Sequence, residues 1–346
     1  MHLDHVQIAD CNALIVARIA RNDLPSQWTS LIPDLAGIIQ TNVDAFMANP
    51  TNTDPSSILI LKRALGTLNQ IVKELAKMKM LSGVRVMTET AEALYSPLVS
   101  YYAHFSRLLQ SSFSANSLLD PNLQYACEEV VILSHMIFKP CVKIMLWLWQ
   151  KASQPQFAAA SQTMQHKLAS FSESCFPLAE SLFDLRIQTV IALQQAMPED
   201  SRSTFMIPEP TVKAVDQLTR HIRLFAKMFR RMQQLNFKRF VGTAGANDFV
   251  LYFWREVVKA AGGPAGYVMD SSEAVYPIRL LILGMVLFRE SLNSWSGRGN
   301  PEKITNVMSP QSIEEAVKLL LTRFIPLTPA DLEKWSNDPE ELGNTR

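Results

Sequence analysis

The chain has 346 residues, more than one ordinary compact core holds but a natural length for an array whose core grows by adding neighbours. Hydrophobic residues make up 48% of it and glycine occupies only 12 positions, which excludes a disordered polar chain and favours helices. A formal net charge of +1 removes any global attraction to nucleic acid or an anionic membrane, so an electrostatic partner has to be met by a local patch.

In chain order, Leu3, Val6, Ala9, Ala13, Val16 and Ala20 recur at three- and four-residue spacing, the stripe of a helix burying one face, and Asp23 with Pro25 closes it. A second helix is expected over 26–47, with Trp28, Leu31, Ile32 and Leu35 on one face. A third over 55–78 carries Leu61, Leu65, Leu68, Val72 and Leu75 on its buried stripe. Further helices are expected over 85–113, 121–151, 156–197, 211–236, 248–261, 272–295 and 311–324. Turn chemistry fills the breaks, and Asp54-Pro55, Asp120-Pro121 and Ser309-Pro310 each place a capping residue before a first-turn proline. Helices joined by short loops at a spacing of roughly 40 to 47 residues are the pattern of HEAT and armadillo arrays. The expected fold class is therefore all-α, an α-solenoid of about four to five antiparallel helix pairs spanning 1–346.

Cys11, Cys127, Cys141 and Cys175 form no CxxC pair and follow no secretory signal, so they read as reduced packing residues. The apolar run over 130–149 is broken by His135, Lys139, Pro140 and Lys143, and the run over 280–288 is too short for a bilayer that needs about 20 residues. No spanning segment is expected.

Catalytic and metal chemistry finds no foothold. The six histidines are scattered, with no HExxH, no GxSxG and no phosphate-binding loop. His135 with Cys127 and Cys141 invites a zinc reading, but spacings of eight and six do not bring all three to one helical face, so packing is expected instead. The chain reads as a binding protein without cofactor or metal, not an enzyme. One local feature rises above scaffold: Arg220, Arg223, Lys227, Arg230 and Arg231 recur along one side of a single helix, with Lys238 and Arg239 beyond. Three readings compete, a solvated face, a surface for an acidic protein, and a contact for RNA backbone. RNA is the weakest of them, because no aromatic residues alternate with the charges.

Three segments carry a resemblance. Ala13 through Asp23, followed by Pro25-Ser26-Gln27-Trp28 and Leu31-Ile32-Pro33-Asp34-Leu35, resembles the amino-terminal repeats of importin-β superfamily receptors. Lys62-Arg63-Ala64-Leu65 through Val72-Lys73-Glu74-Leu75-Ala76 is similar to the next repeat in the importin-eleven-like branch. Leu320 through Thr328, with Asp331-Leu332-Glu333-Lys334-Trp335 and Asp338-Pro339-Glu340-Glu341, fits the same branch. The resemblance implies a HEAT-repeat nuclear transport receptor that binds cargo proteins, the GTP form of Ran and phenylalanine-glycine nucleoporins, and moves between cytoplasm and nucleus. It also implies that 1–346 is incomplete at both ends relative to the family. A generic HEAT scaffold of a cytoplasmic assembly is the alternative.

Overall fold

The computed structural model describes residues 2–24, 26–151, 162–196, 209–262, 275–295 and 310–319, with 321 and 336. Among them the regular elements are helices throughout: α1 His2–Asp23, α2 Leu31–Ala48, α3 Pro55–Leu75, α4 Leu81–Ser112, α5 Ala115–Leu119 and α6 Pro121–Lys151. The second half comprises α7 Gln162–Gln195, α8 Glu209–Leu235, α9 Phe237–Val241, α10 Ala246–Gly262, α11 Ile278–Trp295 and α12 Pro310–Leu319.

Local chemistry explains several of the boundaries. Pro55 takes the first turn of α3, while the Asp54 carboxylate accepts from the Ser56 amide at 3.3 Å. Asp120 does the same for α6, accepting from the Asn122 amide at 2.9 Å. Ser309, the third expected cap, lies outside the described residues.

The helices pack as pairs, α2 on α3, α4 on α6, α7 on α8 and α10 on α11. Two rows result. In one row α1, α3, α6, α8 and α11 pack closely side by side, and in the other α2, α4, α7 and α10 touch more sparingly. Small side chains allow the tightest approach, for Ala17 and Ala20 of α1 are wholly buried at its meeting with α3. Helices of the close row run in the same direction. Lys62 near the start of α3 bonds Glu129 near the start of α6, and Trp149 late in α6 donates its indole N–H to the Met232 carbonyl late in α8 at 3.1 Å.

Aromatic stacking carries the core from pair to pair. Phe46 stacks on Phe105 at 5.4 Å, Tyr102 on Phe138 at 4.5 Å, and Phe176 on Phe229 at 4.4 Å, linking α2 to α4, α4 to α6 and α7 to α8. Prolines sit inside three helices, Pro97 in α4, Pro140 in α6 and Pro177 in α7, and each removes one backbone hydrogen bond from its helix.

Three expectations need correction. The second helix starts at Leu31, not at 26, and Trp28 stands in the preceding turn with its amide bonded to the Asp23 carbonyl at 3.2 Å. Pro33 is the reason: a helix begun at 26 would hold it in the interior, whereas a start at Leu31 puts it in the first turn, where its missing N–H costs nothing. Trp28 is accordingly only half-buried against the core. The fourth helix begins at Leu81, earlier than expected, and Gly83 lets its first turn meet Met78, whose Cβ would lie 2.5 Å from any Cβ added at Gly83. Finally, α5 and α9 are short helices in segments expected as breaks. Ser114 and Asn236 cap them through side-chain acceptors.

By length and hydropathy α6 is able to cross a membrane, but 67% of its apolar window is buried inside the fold, the placement of a core helix.

Candidate functional site

The five basic residues singled out on α8 share one solvent-facing edge. The opposite side of the helix is buried, with Leu218, Ile222, Phe225 and Phe229 at zero exposure. Arg220, Lys227 and Arg231 are exposed, and Arg223 and Arg230 are half-buried. Arg231 reaches Gln234 at 3.5 Å, and the Nε groups of Arg223 and Arg230 are buried without a hydrogen-bond partner. Among the described residues none of the five lies within ion-pair distance of a carboxylate. Among the described residues the ribbon is a line of cations without an ion-paired carboxylate.

The fold extends it into a face. On α6, Lys139 is half-buried and Lys143 exposed. Burial pulls the Lys139 ammonium below its usual range, Asp10 opposes this, and Arg220 adds repulsion. Although its side chain reaches solvent, Lys143 is also held low, first by desolvation against the packed helices and then by Lys73 of α3 and Lys77 just beyond it. On α1, Arg18 and Arg21 stand exposed near the same end of the row. Their field, with the Lys77 hydrogen bond at 2.6 Å as the largest cause, holds the Glu74 carboxyl below its ordinary range against the opposing effect of burial.

Charge is therefore sorted along the parallel row. Carboxylates gather near the helix starts, where Lys62 pairs with Glu129 at 2.6 Å and Lys213 lies beside Glu128. Cations dominate the second halves of α1, α6 and α8, the ends where the helix dipole is negative, and Lys73 and Lys77 flank Glu74 at and just beyond the end of α3. Lys139 and Lys143 escaped the sequence reading because they appear there only as interruptions of an apolar run. Their i, i+4 spacing is the signal that marks them as one exposed edge.

His135 sits under this face, and its ring meets His221 at 5.6 Å. Cys127 and Cys141 are buried free thiols, and burial, with Glu128 second, pushes Cys127 up to about 12. Neither thiol is placed for nucleophilic chemistry at neutral pH.

No family model matches the chain. It is 20% identical over 343 residues to Importin beta-like protein kap113 of Schizosaccharomyces pombe, an alignment covering 95% of this chain and 31% of that protein. The solved structure of Lph2, a bidirectional nuclear transport receptor of S. cerevisiae, matches 98% of the chain at TM-score 0.63 and 18% identity. In sequence and in fold, the chain is similar to importin-β-like transport receptors. Its fold is the all-α stack of HEAT-like helix pairs seen in those receptors. The chain spans less than a third of either protein's length, 31% of one and 29% of the other.

Proposed function

We propose that this chain is one HEAT-repeat stretch of a nuclear transport receptor, which binds a cargo protein and the GTP form of Ran and passes between cytoplasm and nucleus through the pore. The observation that carries the reading is the near-complete match, 98% of the chain, to the fold of a nuclear transport receptor. Binding, not catalysis, is its work. The basic face supplies an electrostatic surface for Ran or an acidic cargo segment, since a field of one sign accelerates encounter with the other. A second feature supports docking on phenylalanine-glycine nucleoporins. Between α2 and α4 lies a groove of about 280 Å³ whose walls include Ile32, Pro33, Val86 and Ala93 with Glu89 and Thr90 beside them, a mainly apolar slot that suits a phenyl ring.

Retention of the chain on immobilised phenylalanine-glycine repeats, and tighter binding to Ran loaded with GTP than with GDP, are the expected results. Loss of both would leave the alternative, a generic HEAT scaffold of a cytoplasmic assembly.

A further inference from the structure

A groove of about 540 Å³ lies between α1, α3 and α6, directly beside the basic face. Its floor is made of small residues, with Ala9 and Ala13 from α1 and Gly66 from α3. A Cβ added at Gly66 would meet nothing within 4 Å, so the glycine leaves open space and not a helix crossing. Apolar walls rise around this floor. Val6 and Leu59 are 53% and 51% exposed, and Met136 closes the α6 side. Exposed aliphatic side chains gathered around an unfilled slot are the mark of a docking site.

Charge decides what docks there. Asp10 and Arg63 line the groove with opposite charges, and Lys62 there is paired with Glu129 at 2.6 Å. One turn beyond Met136 on α6 stands Lys139, close enough to Arg220 for each to repel the other. From there the cations continue along α8 through Arg223 to Arg231. An extended occupant leaving the groove over α6 crosses about 20 Å to the α8 ribbon, since neighbouring helices lie 8–10 Å apart, a span of roughly six residues.

We propose that the groove and the basic face together bind an acidic, extended segment of a partner protein, which seats one aliphatic side chain against Gly66 and lays its carboxylates along Lys139, Arg220, Arg223 and Lys227. The proposal rests on the receptor reading, whose cargo chemistry it names. Nucleic acid has phosphates for the cations but no aliphatic side chain for the groove, and the groove offers no aromatic platform to a base.

The test uses the full chain and a fluorescein-labelled peptide of about twelve residues, made of Glu, Asp and Ser around one leucine. A second peptide replaces that leucine by serine, and a uridine oligonucleotide of similar length is the third probe. The leucine peptide should bind at least about tenfold more tightly than the serine peptide. Gly66→Leu, at a position where an added Cβ meets nothing within 4 Å, puts a side chain into the groove and should erase that difference, as should Leu59→Ser at a position exposed enough to spare the fold. Lys139→Glu with Arg220→Glu should weaken both peptides at least about tenfold. Equal binding of the two peptides overturns the proposal. So does an undiminished leucine preference in both groove variants, or oligonucleotide binding tighter than the leucine peptide. Retention on phenylalanine-glycine repeats is measured on the same variants and fails separately, because those residues are not in the groove between α2 and α4.

Discussion

His221 is sealed in the core, with its Nε2 3.0 Å from the Tyr102 hydroxyl and its ring 5.3 Å from those of Phe138 and Phe225. Burial, with His135 second, holds its titration well below the ordinary range. Burial, then Lys139 and Arg220, pushes His135 down to about 3. Both histidines are neutral in the fold but free to protonate when unfolded. Their contribution to stability is thus complete above an unfolded value of about 6.5 and is lost as the pH falls below it, for His135 until about 3. At pH 5 the loss for His135 is about 2 kcal/mol, and His221 adds to it in the same direction. Urea midpoints at pH 7.5, 6 and 5 should fall steadily, and His135→Phe should flatten part of that slope. A midpoint independent of pH over this range contradicts the assignment. The two tryptophans make a second contrast at this scale. Trp149 is 1% exposed and donates to the Met232 carbonyl, so Trp149→Ala should cost about 3 to 5 kcal/mol. Half-buried Trp28 should cost only about 1 to 2 kcal/mol on the same change, as thermal melts of the two variants will show. That difference was hidden in the sequence, where the spacing of Trp28 with Leu31, Ile32 and Leu35 reads as one helical face.

Helices held by side-chain staples decide which parts of the array move together. Arg186 of α7 is 3% exposed, donating from Nε to the Thr219 hydroxyl of α8 at 2.7 Å and from Nη1 to the Val275 carbonyl at 2.6 Å. Arg186→Met keeps the stem but orphans the Val275 carbonyl, and should cost about 1 to 3 kcal/mol. Hydrogen exchange should accelerate at the start of α11 in this variant, while α2 and α3 stay protected. Uniform acceleration along the chain would contradict a local staple. At this scale most of the fold is legible in the sequence, since the stripes Leu61 to Leu75 and Leu218 to Phe229 state a period and a buried side. The starts were most legible where a cap and a proline coincide, as at Asp54-Pro55, and the end of α1 was legible at Asp23, two residues before Pro25. Nothing in the local pattern separates α5 and α9 from turns, because five residues hold too little periodicity to read.

Across the whole molecule, the parallel close row turns scattered cations into one surface. The ribbon from Arg220 to Arg231 is visible in the sequence because a single helix carries it. Its neighbours are not, since Lys143 meets Lys73 and Lys77 only through the packing of α6 on α3, some 70 residues apart in the chain. Such a field raises association rates with an acidic surface, and salt screens it over a Debye length of about 8 to 10 Å. Reversing Arg223, Lys227 and Arg230 to Glu leaves the apolar side of α8 untouched, so thermal stability should fall only modestly, the half-buried Arg223 and Arg230 carrying most of the cost. The decisive measurement is the association rate with GTP-loaded Ran, or with an acidic cargo segment, for the wild type and this triple variant at low and high salt. The wild type should associate at least about tenfold faster at low salt and lose that advantage as salt rises. Equal rates with equal salt slopes would show the basic face to be no more than a solvated surface.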